Sequence, residues 1–394
     1  MNNGIAVLVL AFADYESLEI SLAVHSKFFP LVVNGQRVRL FILQNGRGTY
    51  DCERTYRVAK RYSDLFPEDI VVIDDVKPGI PYFSIRSLLN DDRFKDVEFI
   101  AKLDDDVFPL TADWLTELYN TYSRKEQEIG EKLAYVTSLV NNNPYGFNKV
   151  LDIMDLRETY KSKYSRVHSV GIQGDHVHSP YRLAQKGEVG DGGFGTIWRL
   201  PYLARWIHQE TTLCPDKFIA ATRGLPTTEI NSKNRYSINC VFMRKKLWND
   251  INNGDDYDDE LMLQKYCIKN DKKIFANLAV PMCHLFFYTQ RFENKDLISL
   301  IVERYSQWLD LPFPIALCSD KKLENENRLR FLEKLISDGA VKGKPLKLKF
   351  MKAKDWIKGV LPKNSFLYDG CRGGYVVMKK AYKTTICIFN PHNR

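Results

Sequence analysis

Residues 97–106 read Val-Glu-Phe-Ile-Ala-Lys-Leu-Asp-Asp-Asp, a short apolar run of strand length that ends in three consecutive carboxylates. Adjacent carboxylates repel, and packing gives no reason to place Asp104, Asp105 and Asp106 at the end of an apolar strand. A divalent cation neutralises such a cluster. Hard carboxylate oxygens suit Mg2+ or Mn2+, which take one or two carboxylates and complete their shell with water and phosphate oxygens. The bland alternative is an acidic turn, since Asp is common in turns and helix caps. Placement at the C-terminal end of a central strand, where open α/β sheets bind ligands, favours the metal.

Working outward, the first hundred residues alternate between two patterns. Apolar runs at 5–12, 38–43, 70–73 and 97–103 are separated by helix-compatible stretches at 15–29, 54–65 and 82–94. Asp14 stands where a helix N-cap is needed. Strand–helix alternation with nearly continuous apolar strands predicts a parallel sheet covered by helices on both faces. Downstream, the pattern predicts a helix from 112, a strand at 134–140 and a strand at 238–243. An acidic segment at 254–260 leads into a helix to about 269, and a strand at 273–280 is followed by a Pro281-Met282-Cys283 turn and His284. Residues 141–235 are looser and rich in Asn, Gly, His, Tyr and Trp, which reads as functional loops. Helices are expected at 296–309 and 322–337.

With 394 residues, 44% hydrophobic and 27% charged, the chain has the balance of an ordered globular protein with a large core. The longest apolar run near the start, 5–13, falls short of the roughly 20 residues of a membrane span and lacks a basic leader. The eight cysteines are scattered with no CxxC pair, the pattern of reduced thiols in a cytoplasmic protein. The net charge of +8 is unevenly placed. From Asp320 onward there are 18 Lys+Arg against 7 Asp+Glu, leaving the rest of the chain slightly acidic.

A strand running into Asp-x-Asp, followed in order by Ile238-Asn239-Cys240-Val241-Phe242-Met243-Arg244, then Asp258-Asp259-Glu260-Leu261, then residues 277–284 ending in His284, resembles the GT-A fold of nucleotide-sugar glycosyltransferases. The closer likeness is to the bacterial family 2 group, and it covers about residues 4–290. It implies a Rossmann-like, mostly parallel sheet with a nucleotide-binding half (1–110), an acceptor half (111–290) and a helical, basic extension (291–394). It also implies that Asp106, Asp104 and His284 hold Mn2+ or Mg2+, with Asp105 a substitute for either carboxylate. The nucleotide would lie against Ala11, Asp14, Asn45, Asp75, Asp104 and Asp105. Asn45 departs from the Asp usual in that family; Asn45-Gly46 reads equally as a tight turn, and Asp74 is a further candidate near the base. The acidic pair Asp258 and Asp259 would carry the catalytic base, with Asp258 placed first by the family pattern and helix capping the plainer alternative.

The implied function is metal-dependent, inverting transfer of a sugar from a nucleotide diphosphate donor, UDP-linked by preference, to a hydroxyl of a growing glycan or lipid-linked glycan. Two alternatives stand beside it. A nucleotidyltransferase would carry a Gly-rich basic phosphate loop after the first strand, where this chain has Ala11-Phe12-Ala13-Asp14-Tyr15. A non-catalytic glycan-binding protein leaves the Asp cluster unexplained. His176-x-His178 reads as a loop, Gly190–Gly195 lacks the preceding strand of a dinucleotide fingerprint, and Trp198, Tyr202 and Trp206 read as a core helix face. In residues 342–358 Lys alternates with apolar residues. That reads as a solvated edge or as a contact with the anionic inner face of the cell membrane; nucleic acid is not expected.

Overall fold

The sheet is laid around β1 (Gly4–Ala11), whose residues are almost all buried. The computed structural model describes residues 4–75, 81–163, 170–171, 181–182, 201–232, 239–251, 259–286 and 288–309. α1 (Tyr15–Phe28) follows β1, its start capped by Asp14, whose carboxylate accepts from the Ser17 N–H at 3.2 Å. A short hairpin strand, β2 (Val32–Val33), leads into β3 (Gln36–Gln44), which runs parallel to β1 with Val7 opposite Leu40. α2 (Tyr50–Leu65) is capped by Thr49, and β4 (Ile70–Ile73) extends the parallel array from β3. α3 (Pro81–Leu89) stops before the expected 94; Asp91 instead caps a separate single turn at Asp92–Phe94. β5 (Val97–Asp104) then enters beside β1, Val7 opposite Ala101. The run of Val, Ile, Leu and Phe in these strands is what burial on both faces demands.

Beyond β5 the sheet changes character. β6 (Val107–Pro109) leads to α4 (Trp114–Ile129) and β7 (Leu133–Val140). The stretch read as loose contains α5 (Pro144–Ile153), α6 (Arg157–Lys163), the short strands β8 (Val170–Gly171) and β9 (Tyr181–Arg182), α7 (Pro201–Glu210), α8 (Pro215–Thr222) and β10 (Thr227–Ile230). β11 (Cys240–Arg244) lies antiparallel on the far edge of β5, with Cys240 opposite Leu103. Its start therefore stands beside the end of β5. α9 (Lys245–Asp250) and α10 (Asp259–Lys269) follow, then β12 (Lys273–His284), α11 (Tyr288–Glu293) and α12 (Asp296–Leu309).

The main sheet runs β10-β12-β7-β11-β5-β1-β3, its longest ladders parallel, with β4 on β3 and β6 on the end of β12. A further expectation is corrected. Pro281, Met282 and Cys283 are not a turn but the last third of β12, pairing with both β7 and β6. The register shifts between Asn277 and Pro281, and that irregularity lets a proline without an N–H sit inside a strand. Asn277 fills the gap, its side chain accepting from the Ala279 N–H and donating to Thr121 Oγ1. α12 packs on the same core: Tyr305 is fully buried against Phe108, and Trp308 meets Phe28 edge to face.

Candidate functional site

The acidic cluster sits where β5 ends and the chain reverses into β6. Because β6 pairs antiparallel with the end of β12, Val107 stands opposite His284 and the imidazole arrives beside Asp106. Two N–H groups lock the corner: Leu285 donates to the Asp106 carbonyl at 3.0 Å, and Phe286 donates to Asp106 Oδ2 at 3.1 Å. His284 Nε2 lies 3.3 Å from Asp106 Oδ1. Ligand atoms of Asp104, Asp106 and His284 all fall within 4.8 Å of one another.

The imidazole is oriented from behind. His284 Nδ1 faces the Asn142 carbonyl at 2.9 Å, so that nitrogen carries the hydrogen and Nε2 faces the carboxylates. A backbone carbonyl on the far ring nitrogen is the arrangement that fixes metal-ligating histidines. Two carboxylates and an oriented imidazole form a donor set that fits Mn2+, and fits Mg2+ less well because of the nitrogen. Burial works against charge on both partners, yet their mutual attraction prevails: His284 is held above its ordinary value, and Asp106 below the usual carboxylate range with help from Arg291 and the Phe286 N–H. Asp105 behaves oppositely. Burial, with Asp106 and Asp14 beside it, pushes it well above that range despite Arg291.

Charge balance comes from two cations that the apolar pattern hides. Buried Lys102 places Nζ 2.5 Å from Asp104 Oδ1 and 3.4 Å from Asp259 Oδ2. Asp104 and Asp259 hold its ammonium charged against the cost of burial. Arg291, on α11, lies 3.0 Å from Asp14 Oδ2 and 4.0 Å from carboxylate oxygens of both Asp105 and Asp106. Asn239, just before β11, donates to Asp104 Oδ2 at 2.9 Å.

The remaining predicted residues divide. Asp14 and Ala11 are at the site: the Ala11 carbonyl accepts from the Asn45 N–H at 2.7 Å, and the neighbouring Phe12 N–H donates to Asp105 Oδ2 at 3.3 Å. Asn45 Oδ1 accepts from the Ser84 hydroxyl at 3.2 Å. Next to it, Gly46 lies so close to Phe12 that a Cβ there would meet the ring at 2.7 Å. Asp74 and Asp75 are not gathered with the cluster; they pair at the surface with Arg47 (3.2 Å) and Arg93 (3.1 Å). Asp259 opens α10, its Oδ1 accepting from the Glu260 N–H. Trp206 is buried as expected, whereas Tyr202 is exposed. Asp258, His176, His178, Gly190–Gly195, Trp198 and 342–358 lie outside the described residues.

Sequence reading missed the layer behind His284. Asn141 Oδ1 accepts from the His284 N–H at 3.0 Å, and the Asn142 side chain donates to Gln290 Oε1 and to the Leu285 carbonyl. His208 is wholly buried there, with Nε2 2.6 Å from the Leu285 carbonyl and Nδ1 2.8 Å from Thr212 Oγ1, and burial pushes its pKa down to about 4. The signal was present in Asn141-Asn142-Asn143-Pro144. Three amides directly after an apolar strand must find partners if they are buried.

No protein-family model matches the sequence, and no characterised protein matches it by sequence. Among solved structures it is similar to a mannosyltransferase from Pyrobaculum calidifontis in complex with GDP-Man and Mn2+, with TM-score 0.28 and 14% identity over 38% of this chain and 39% of that one. It is also similar to glucosyl-3-phosphoglycerate synthase from Mycobacterium tuberculosis in complex with Mn2+, UDP and glucosyl-3-phosphoglycerate, with TM-score 0.35 and 11% identity over 79% and 81% of the two chains. The match thus spans about two fifths of the mannosyltransferase and most of the synthase. Likeness at this level assigns no role to any residue.

Proposed function

We propose that this protein is a metal-dependent glycosyltransferase that moves a sugar from a nucleotide diphosphate donor to a hydroxyl of a glycan or lipid-linked glycan. The observation that carries the reading is the juxtaposition of Asp104, Asp106 and His284 at the C-terminal end of the parallel strands. Asp106 and His284 are the residues that would hold Mn2+ or Mg2+, with Asp104 at their edge. Bound there, the ion would offset the charge growing on the diphosphate leaving group. Asp106 is locked by backbone N–H groups and His284 by Asn142, so neither ligand needs to be reorganised to accept the ion.

The chain's own groups perform the rest. Arg291 balances Asp14 and Asp105 at the donor side. At the acceptor side, a carboxylate of the acidic segment 254–260 takes the proton of the attacking hydroxyl; Asp258 is our first choice and Asp259 the second. Attack from the face opposite the nucleotide is a single displacement and inverts the anomeric centre. Among the described residues no helix is long and apolar enough to cross a membrane. The basic segment 342–358 supports peripheral contact with an anionic membrane face.

A panel of nucleotide sugars, with and without Mn2+, tests the reading. Metal-dependent release of nucleoside diphosphate, and an inverted product by NMR, are expected. Consumption of added pyrophosphate to give nucleoside triphosphate and sugar 1-phosphate instead would make the protein a nucleotidyltransferase, and no turnover with any donor would reduce it to a binding protein. Asp258→Asn should lower transfer by about 10²–10⁴-fold while leaving donor binding in place.

A further inference from the structure

Lys102 is the anomaly of the central strand. Both edges of β5 are occupied where it stands, with Leu8 of β1 and Val241 of β11 opposite it, and its side chain is only 5% exposed. An ammonium in such a place is strongly unfavourable unless it is paired. Strand alternation puts it on the same face as Asp104, two residues on, so its chain extends along the sheet toward the site. It meets Asp104 Oδ1 at 2.5 Å and Asp259 Oδ2 at 3.4 Å. Asp259 Oδ2 is itself buried and makes no hydrogen bond among the described residues, so this ammonium is its compensating charge. The two carboxylates come from different elements, β5 and α10, and one cation serves both.

We propose that Lys102 is a positioning residue: one buried ammonium, shared by Asp104 and Asp259, ties the metal-binding end of β5 to the acidic start of α10. Its role in turnover rests on the glycosyl-transfer reading. Two consequences of opposite sign follow from its place. As a cation on Asp104, which Asn239 also engages, Lys102 opposes a divalent ion at the cluster and restrains that carboxylate from full ligation. As the counter-ion of Asp259, it fixes the first residue of α10, the neighbour in sequence of Asp258, against the donor side.

The test is Lys102→Met, which keeps length and removes charge. Mn2+ binding, read by electron paramagnetic resonance without substrate, should tighten about fivefold or more. Transfer should slow about tenfold or more in kcat, with little change in the donor KM. Asp259→Asn should slow transfer similarly, and the double variant should be no worse than the poorer single. General loosening would weaken metal binding and kcat together; that result, unchanged Mn2+ affinity, or additive losses would overturn the proposal. If Lys102→Met does not fold, adding Asp259→Leu removes the orphaned charge, and recovery of folded protein supports the pairing while no recovery overturns it. Should the wild-type protein transfer no sugar at all, the glycosyl-transfer reading falls. The Mn2+ titration and a urea double-mutant cycle between Lys102 and Asp259 would still decide the role of Lys102.

Discussion

Asp106 and His284 face each other at 3.3 Å through Oδ1 and Nε2, and each is held from behind by backbone: Asp106 by the Phe286 N–H, His284 by the Asn142 carbonyl. The pair is buried, so its charges are worth more to each other than they would be in water, and a metal ion at Nε2 would take the place of the proton there.

The first prediction concerns that pair. Asp106→Asn retains an acceptor for the Phe286 N–H but loses the charge, so Mn2+-dependent nucleoside diphosphate binding should weaken at least about 100-fold. Calorimetry with unchanged metal-dependent affinity in a folded variant would remove Asp106 from the ligand set.

Metal should also stabilise the wild-type fold. At a concentration of 100 times Kd, a ligand that binds only the native state adds about 2.7 kcal/mol. Mn2+ should therefore raise Tm by a few degrees, reversibly with chelator, and should leave Asp106→Asn unmoved. An equal rise in both proteins would place the ion elsewhere.

The layer behind His284 should tune affinity without touching the ion. Gln290→Leu removes one of the partners of buried Asn142 Nδ2, which keeps the Leu285 carbonyl, and leaves every ligand intact. We expect about 10–100-fold weaker Mn2+ binding and a stability loss of about 1–3 kcal/mol. Calorimetry and urea unfolding read the two effects separately, and stability loss with full metal affinity would limit Gln290 to packing.

Gly146, in the first turn of α5, packs against the end of β7 and donates its N–H to Asn143 Oδ1. A Cβ there would fall 1.6 Å from the Val140 carbonyl oxygen, and backbone cannot give way as a side chain can. Gly146→Ala should cost at least about 3 kcal/mol by displacing α5 from the end of β7, measured by urea denaturation. A nearly neutral substitution would mean that α5 can slide freely.

His25 gives a pH signature. It is fully buried, with Nε2 3.3 Å from the Val107 carbonyl and its ring edge-on to Trp114, and burial lowers its pKa from 6.5 to about 4. The unfolded chain binds the proton first, so stability is intact above about pH 6.5 and falls as pH drops toward 4. The contribution is about 3 kcal/mol across that window. His25→Phe should flatten that part of the stability–pH curve, and an unchanged slope would show that other groups dominate.

The sequence by itself determined the parallel frame of β1, β3, β4 and β5, the Asp14 cap, and the acidic corner at the end of β5. Each rests on local physics: apolar runs of strand length, a side chain that can bond the next turn, and charge repulsion between neighbours in the chain. The helix opening at Asp259 was legible for the same reason. Only the tertiary structure decided what surrounds the corner. The antiparallel entry of β11 brings Asn239 to Asp104, and the pairing of β6 with β12 turns an expected Pro-Met-Cys turn into strand and delivers His284. Arg291 and Lys102 are ordinary basic residues in the sequence, and Asp75 an equally ordinary acid. Carboxylates from other segments surround the first two, Lys102 buried and Arg291 half-buried, whereas Asp75 pairs with Arg93 at the surface. Such pairings join distant segments, and a side chain's neighbours across a sheet are set by register, which no local pattern encodes.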